Sequence, residues 1–123
     1  MVLSTVNKDG LPESAVVGCG HTEKFELIFG TSIESRKAQN MLNNKKVSTV
    51  IGWDTAGTIQ YEGEARLLEG EDLARYSELY FAKIPTARAH KDKPGQRYFL
   101  ITPKWLRHTD VKTNPWAITE VKF

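Results

Sequence analysis

Residues 29–54 read FGTSIESRKAQNMLNNKKVSTVIGWD, and the order of signals inside this stretch sets the architecture. Its first residues close a strand candidate, Phe25–Thr31 (FELIFGT), whose side chains suit a pleated surface. The spacing of Ala38, Met41 and Leu42 then predicts a helix from about Ser35 to Asn43. In the NNKK run that ends it, Asn43 or Asn44 can take a left-handed cap, and Lys45 and Lys46 suit the negative end of the helix. Val47–Trp53 is a further strand, with DTAG after it as a turn. The start of the helix is the odd part. Arg36 and Lys37 lie in its first turn, where the helix dipole favours acids.

Working outward, strands dominate. Val2–Val6 and Pro12–Val17 flank NKDG, whose Asp9-Gly10 pair supports a tight reversal, so the chain opens with a hairpin. Thr58–Leu68 alternates: Ile59, Tyr61, Gly63, Ala65 and Leu67 share one face, and polar residues share the other. A second helix, roughly Glu71–Lys83, begins with acids after Gly70, carries Leu73, Tyr76 and Tyr80 on one stripe, and stops before Pro85. A polar loop from Pro85 to Gln96 leads to strands at Arg97–Thr102, Lys104–Asp110 and Trp116–Val121. Most strands follow one another with no helix between. That order indicates an antiparallel sheet or barrel with a few helices, not a doubly wound parallel sheet.

At 123 residues with 40% apolar content, the chain has material for one core, and no repeat or linker divides it, so residues 1–123 read as a single domain. Basic and acidic residues number 17 and 15 and are interspersed, which implies no polyanion-binding field. Small barrels can bind nucleic-acid strands on an aromatic face, but no basic-aromatic stripe supports that here, and no nucleic-acid partner is expected. The single cysteine, Cys19, excludes an internal disulfide, and no Cys/His cluster has metal-ligand spacing. No run approaches the ~18 apolar residues of a membrane span, and Met1 leads almost directly into a strand rather than a signal peptide. The sequence reads as soluble and cytoplasmic.

Two readings fit the odd helix start. A helix N-terminus presents unpaired N–H groups, and the hydroxyls of Thr31, Ser32 and Ser35 beside Arg36 and Lys37 would complete a pocket for a dianionic phosphate. Alternatively Thr31 and Glu34 form a capping box on a surface helix, and both cations are simply solvated.

Three stretches weigh on that choice: LSTVNKDGLPESAVV (3–17), residues 29–54, and TIQYEGEARLLEG (58–70). In order and spacing they resemble the flavin-binding split barrels related to pyridoxamine 5'-phosphate oxidase, over about the first half of the chain. The resemblance implies a mainly β antiparallel split barrel whose homodimer holds FMN at the subunit interface. It implies that Arg36 and Lys37 grip the FMN phosphate, with Ser35 and Thr31 beside them. Ser14, Ala15, Val16 and Val17 would run along the isoalloxazine edge, and Thr31 and Ser32 would continue that wall. Thr58 falls where the oxidase has a flavin-contacting glutamine, and Gln60 lies two residues on along the same face; either could reach the ring.

The second half departs from the oxidase. In YFAKIPTARA (80–89), Tyr80, Phe81 and Pro85 are retained, but Ile84 replaces an arginine and Arg88 replaces a serine of the oxidase's substrate-phosphate site. Isoleucine cannot supply a guanidinium fork, so oxidation of pyridoxamine phosphate itself is not implied. In ITPKWLRHTDVKTNPWAITEVKF (101–123), Trp105, Arg107 and His108 are candidates to approach a flavin, although strand aromatics such as Trp105 and Trp116 more often make core or dimer contacts. The implied activity is that of an FMN-dependent oxidoreductase with a small-molecule substrate or electron donor, no catalytic side chain being indicated. The alternative is a non-catalytic barrel carrying flavin, deazaflavin or haem, with His21, His90 or His108 as axial ligand in the last case.

Overall fold

The computed structural model describes residues 1–52 and 57–123, so the expected strand end at Trp53 and the turn residues 54–56 lie outside the described residues. The elements are β1 (Val2–Val6), β2 (Pro12–Val16), β3 (Gly20–His21), β4 (Leu27–Ser32), α1 (Arg36–Asn43), β5 (Lys46–Ile51), β6 (Gly57–Leu67), α2 (Gly70–Lys83), a 3-10 turn (Pro85–His90), β7 (Gln96–Asp110) and β8 (Ala117–Lys122). The strands order as β2-β1-β5-β6-β7-β4-β3, with β8 joined to β7. Every pairing among the described residues is antiparallel, including that of β6 with β7, which α2 and the 3-10 turn connect.

Alternation along β4 and β7 divides the interior in two. Leu27, Phe29, Phe99 and Ile101 point into a core shared with Leu3, Val47, Tyr61 and Ala65, closed at one end by Ala38 and Met41 of α1. Ile28, Tyr98 and Leu100 point the other way and pack under Tyr76, Tyr80 and Phe81 of α2. These two strands are therefore apolar on both faces, while β1, β2, β5 and β6 bury one face only. Burying each large apolar side chain contributes about 1.5–3 kcal/mol, and the stripe of α2 gains its stability from this contact.

Several boundaries moved for physical reasons. The strand expected from Phe25 begins at Leu27 because Phe25 has a φ of 61° and turns the corner from β3, a short strand without a sequence signature. Thr22 Oγ1 holds that corner by accepting from the backbone of Lys24 (3.2 Å) and Glu26 (3.3 Å). The C-cap of α1 is Asn44 with a φ of −139°, an extended residue rather than a left-handed one. The strands expected on either side of Pro103 are a single strand, β7. Pro103 is tolerated because β4 pairs only as far as Ile101 and β8 starts at Trp105, while on the β6 side a bulge between Glu62 and Gly63 absorbs the irregularity. A Cβ on Gly63 would meet the Thr102 carbonyl oxygen at 2.5 Å, so the bulge closes only around glycine.

Candidate functional site

The hairpin of β1 and β2 is closed by Asn7, whose Oδ1 accepts from the backbone of Asp9 (2.9 Å) and Leu11 (3.0 Å), with Gly10 at a φ of 80°. Its register brings β2 against the start of α1. Ser35 is the N-cap: its Oγ accepts from the backbone N–H of Ala38 at 3.3 Å. The capping box considered for Thr31 and Glu34 is therefore not the device used. Thr31 Oγ1 lies 3.0 Å from Ser35 Oγ, and Lys37 Nζ reaches that threonine hydroxyl at 3.5 Å.

The result is a cleft of about 210 Å³ lined by Thr5, Glu13, Ser14, Ala15, Arg36 and Lys37. Ligand pockets for whole drug-sized molecules run to about 300–1,000 Å³, so this volume suits one charged end of a larger molecule. Two cations, hydroxyls and a helix start are groups that can donate to an anion, and the Glu13 carboxylate lines the same cleft.

Arg36 is not simply solvated. Its Nε donates to Glu13 Oε2 at 3.1 Å and its Nη2 pairs with Glu13 Oε1. The same carboxylate accepts from Asn40 Nδ2 at 2.8 Å and Asn7 Nδ2 at 3.1 Å, and Asn40 also donates to Thr5 Oγ1 at 2.9 Å. These donors, Arg36 first, hold the Glu13 carboxyl down at about 2. Glu13, Asn7 and Asn40 escaped the sequence reading. Two signals were present: Glu13 alternates with Ala15 and Val17 on the inward face of β2, and Asn40 lies on the apolar face of α1 between Ala38 and Met41.

The four residues expected to form one wall divide by strand parity. Ser14 and Val16 face outward, Val16 being 77% exposed, whereas Ala15 and Val17 pack inward on the core. Ser32 is exposed, its Oγ accepting from the Glu34 N–H at 3.2 Å. Gln60 and Trp105 meet in a second cleft of about 260 Å³ with Ser48 and Val50, while Thr58 lies further along β6 opposite Thr109. Register links the two clefts. Ser14 pairs with Ser4, Ser4 with Ser48, Ser48 with Glu62 and Glu62 with Trp105, a row across one face of five strands. Four strand spacings put its ends roughly 19 Å apart. The Arg107 guanidinium lies 5.4 Å from the Trp105 ring centroid and also pairs with Glu120.

Other candidates are engaged elsewhere. Ile84 packs with the α2 core and Arg88 pairs with Glu78 at 2.9 Å while lying over the Phe81 ring, so the segment that departs from the oxidase is built into the fold here. His21, His90 and His108 are all exposed, on three separate elements. Burial pushes the Cys19 thiol up, the opposite of activation. Among the described residues there is no cluster of metal-ligating side chains, and no helix is long and apolar enough to cross a membrane.

Residues 1–110 match the family described as pyridoxamine 5'-phosphate oxidase. The chain is 32% identical over 77 residues to the pyridoxine/pyridoxamine 5'-phosphate oxidase of Wolbachia pipientis wMel, a match covering 62% of this chain and 36% of that one. With the enzyme of Vibrio vulnificus (strain YJ016) it is 38% identical over 53 residues, 43% of this chain and 25% of the other. The matches thus span about a third or less of these relatives' length. Among solved structures, General Stress Protein 26 from Bacillus anthracis superposes with a TM-score of 0.74 at 23% identity, covering 99% of this chain and 87% of the other. A pyridoxamine 5'-phosphate oxidase-related, FMN binding protein from Nostoc punctiforme gives 0.71 at 16%, covering 99% and 86%. A heme binding protein from Mycobacterium smegmatis gives 0.79 at 15%, covering 98% and 51%. At these identities the likeness is one of fold, the antiparallel split β-barrel.

Proposed function

The chain belongs to the pyridoxamine 5'-phosphate oxidase family, and on that premise we propose that it is a cytoplasmic, FMN-binding homodimer acting as a flavin-dependent oxidoreductase on a small molecule. The observation that carries this reading is the cleft in which β2 and the start of α1 bring Arg36 and Lys37 together with Ser14 and the neighbouring Thr31 and Ser35 hydroxyls. Bound there, FMN would supply the electron chemistry, and the protein would supply anchorage and orientation. Lys37 and the outer edge of Arg36 would hold the phosphate, with Thr31, Ser32 and Ser35 beside them. The outward face carrying Ser14, Val16, Thr58, Gln60 and Trp105 would receive the rest of the molecule, and Ala15 and Val17 would back it from the core. A second copy would cover that face and exclude water.

A haem reading would need His21, His90 or His108 as axial ligand, and these lie on three separate elements away from the cleft that carries Arg36 and Lys37. A deazaflavin shares a phosphate and a tricyclic ring, and the absorption spectrum separates it from FMN. The test is to incubate the purified protein with FMN, desalt it and record the visible spectrum. Wild type should retain flavin bands, and Arg36→Ala/Lys37→Ala should lose them while keeping the wild-type dimer mass. Full retention by the double variant would refute the phosphate cleft, and no retention by wild type would refute FMN as the cofactor.

A further inference from the structure

A second cleft, of about 390 Å³, lies between the start of α2, the residues after the 3-10 turn and the first residues of β7. It shares no lining residue with the cleft that holds Arg36 and Lys37. Volumes from about 300 Å³ upward accommodate whole small molecules. Leu67, Leu68, Leu73 and Phe81 supply its apolar wall, and Leu68 and Phe81 belong to the core beneath α2. We infer that this cleft is a separate binding site for a zwitterion with an apolar side chain, the chemistry of an apolar α-amino acid.

Its polar groups are left over from the fold. Lys91, Arg97, Glu69 and Asp92 line it, and none of the four forms an ion pair among the described residues, whereas Asp72 of α2 takes Arg66 at 2.8 Å. Tyr98 lines the same cleft and is only 6% exposed, and its hydroxyl has no hydrogen-bond partner among the described residues. Burial pushes the Tyr98 hydroxyl up, so at neutral pH it is a donor that meets no acceptor. An unmade bond of this kind is costly, and a ligand oxygen recovers it. The two cations and two carboxylates sum to zero, so a ligand with a net charge gains at one pair and is repelled at the other. A zwitterion satisfies both: its carboxylate accepts from Lys91, Arg97 and Tyr98, its ammonium donates to Glu69 or Asp92, and its side chain lies on the apolar wall.

Calorimetric titration with leucine and phenylalanine tests this, each beside its analogues lacking the amino group (isocaproate, hydrocinnamate) or the carboxylate (isoamylamine, phenethylamine). At least one amino acid should bind saturably, and both of its analogues should bind about tenfold more weakly, each having lost one set of charge-assisted bonds. Lys91→Met/Arg97→Met changes two exposed positions and should weaken the amino acid about tenfold with no shift in the thermal midpoint. Tyr98→Phe fills the same space without the hydroxyl. It should weaken the amino acid and its carboxylate analogue about fivefold and leave the amine unmoved, a pattern that altered packing alone does not produce. Failure of both amino acids to saturate the protein by about 10 mM would overturn the assignment. So would an analogue that binds as tightly as its amino acid, or amino-acid binding that the Lys91→Met/Arg97→Met variant leaves unchanged.

Discussion

Lys37→Met keeps the length and packing of the side chain and removes its charge. Arg36 directs two of its N–H groups at Glu13, but Lys37 directs its ammonium at the Thr31 hydroxyl, 3.5 Å away, and that hydroxyl is 3.0 Å from Ser35 Oγ. Lys37 is thus the cation facing the hydroxyl side of the cleft. A hydrogen bond to a charged group contributes about 1.5–3 kcal/mol. At 1.4 kcal/mol per factor of ten, the loss predicts FMN binding weaker by roughly 10- to 150-fold. The cleft is open to solvent, so the lower half of that range applies at physiological salt, and the effect should shrink further as salt is raised. Titration of flavin fluorescence at fixed ionic strength reads the change directly. Riboflavin, lacking the phosphate, should bind wild type and variant equally. A loss for FMN below about threefold, which is ~0.7 kcal/mol, would refute the role given to Lys37. An equal loss for both flavins would place Lys37 against the ring or act through the fold, and would refute it as well.

Tyr61→Phe should destabilise the protein by about 1–3 kcal/mol, because the buried hydroxyl donates to the carbonyls of Phe25 (3.0 Å) and Ile101 (3.1 Å) and phenylalanine leaves both without it. Thermal unfolding should show a Tm lower by roughly 3–5 °C per kcal/mol, and a fall under about 1 °C would mean those carbonyls are satisfied otherwise. Burial raises the Tyr61 pKa above the ordinary 10, so above pH 10 the unfolded chain ionises first and wild type loses stability that Tyr61→Phe does not have to lose. The gap between the two proteins should close in that range. On the acid side, Glu13 is lowered from 4.5 to about 2, so its contribution is complete above pH 4.5 and is lost as pH falls toward 2. Urea midpoints of wild type and Glu13→Gln should therefore converge between pH 4.5 and 2, and a constant gap would remove Glu13 as the titrating group.

Local signals in the chain were sufficient for most of the elements. The opening hairpin was legible because Asp9-Gly10 lies between two β-rich runs. The helix at Ser35 was legible from the spacing of three apolar residues, although its Ser35 cap was not, and β6 from its strict alternation. The misplaced boundaries share a cause, which is that the deciding interaction lay far away in sequence. Pro103 looked like a break, and it is not one because β7 changes partners from β4 to β8 at that point. Phe25 looked like strand, yet its carbonyl is held by Tyr61 at a left-handed corner.

The site divides along the same line. Arg36 and Lys37 stood out by themselves, because cations at a helix start run against the dipole and that conflict is visible in a few adjacent residues. The sequence alone therefore determined the strand-rich class, the helix that carries the cations, and the family resemblance. Only the tertiary structure decided which groups those cations face. Glu13 and Arg36 are 23 positions apart and Asn40 and Thr5 are 35, and no local pattern records a hydrogen bond across such a separation. The division of Ser14–Val17 between the open face and the core was likewise settled by pairing register, since a strand's alternation says that neighbours point opposite ways but not which way is inward.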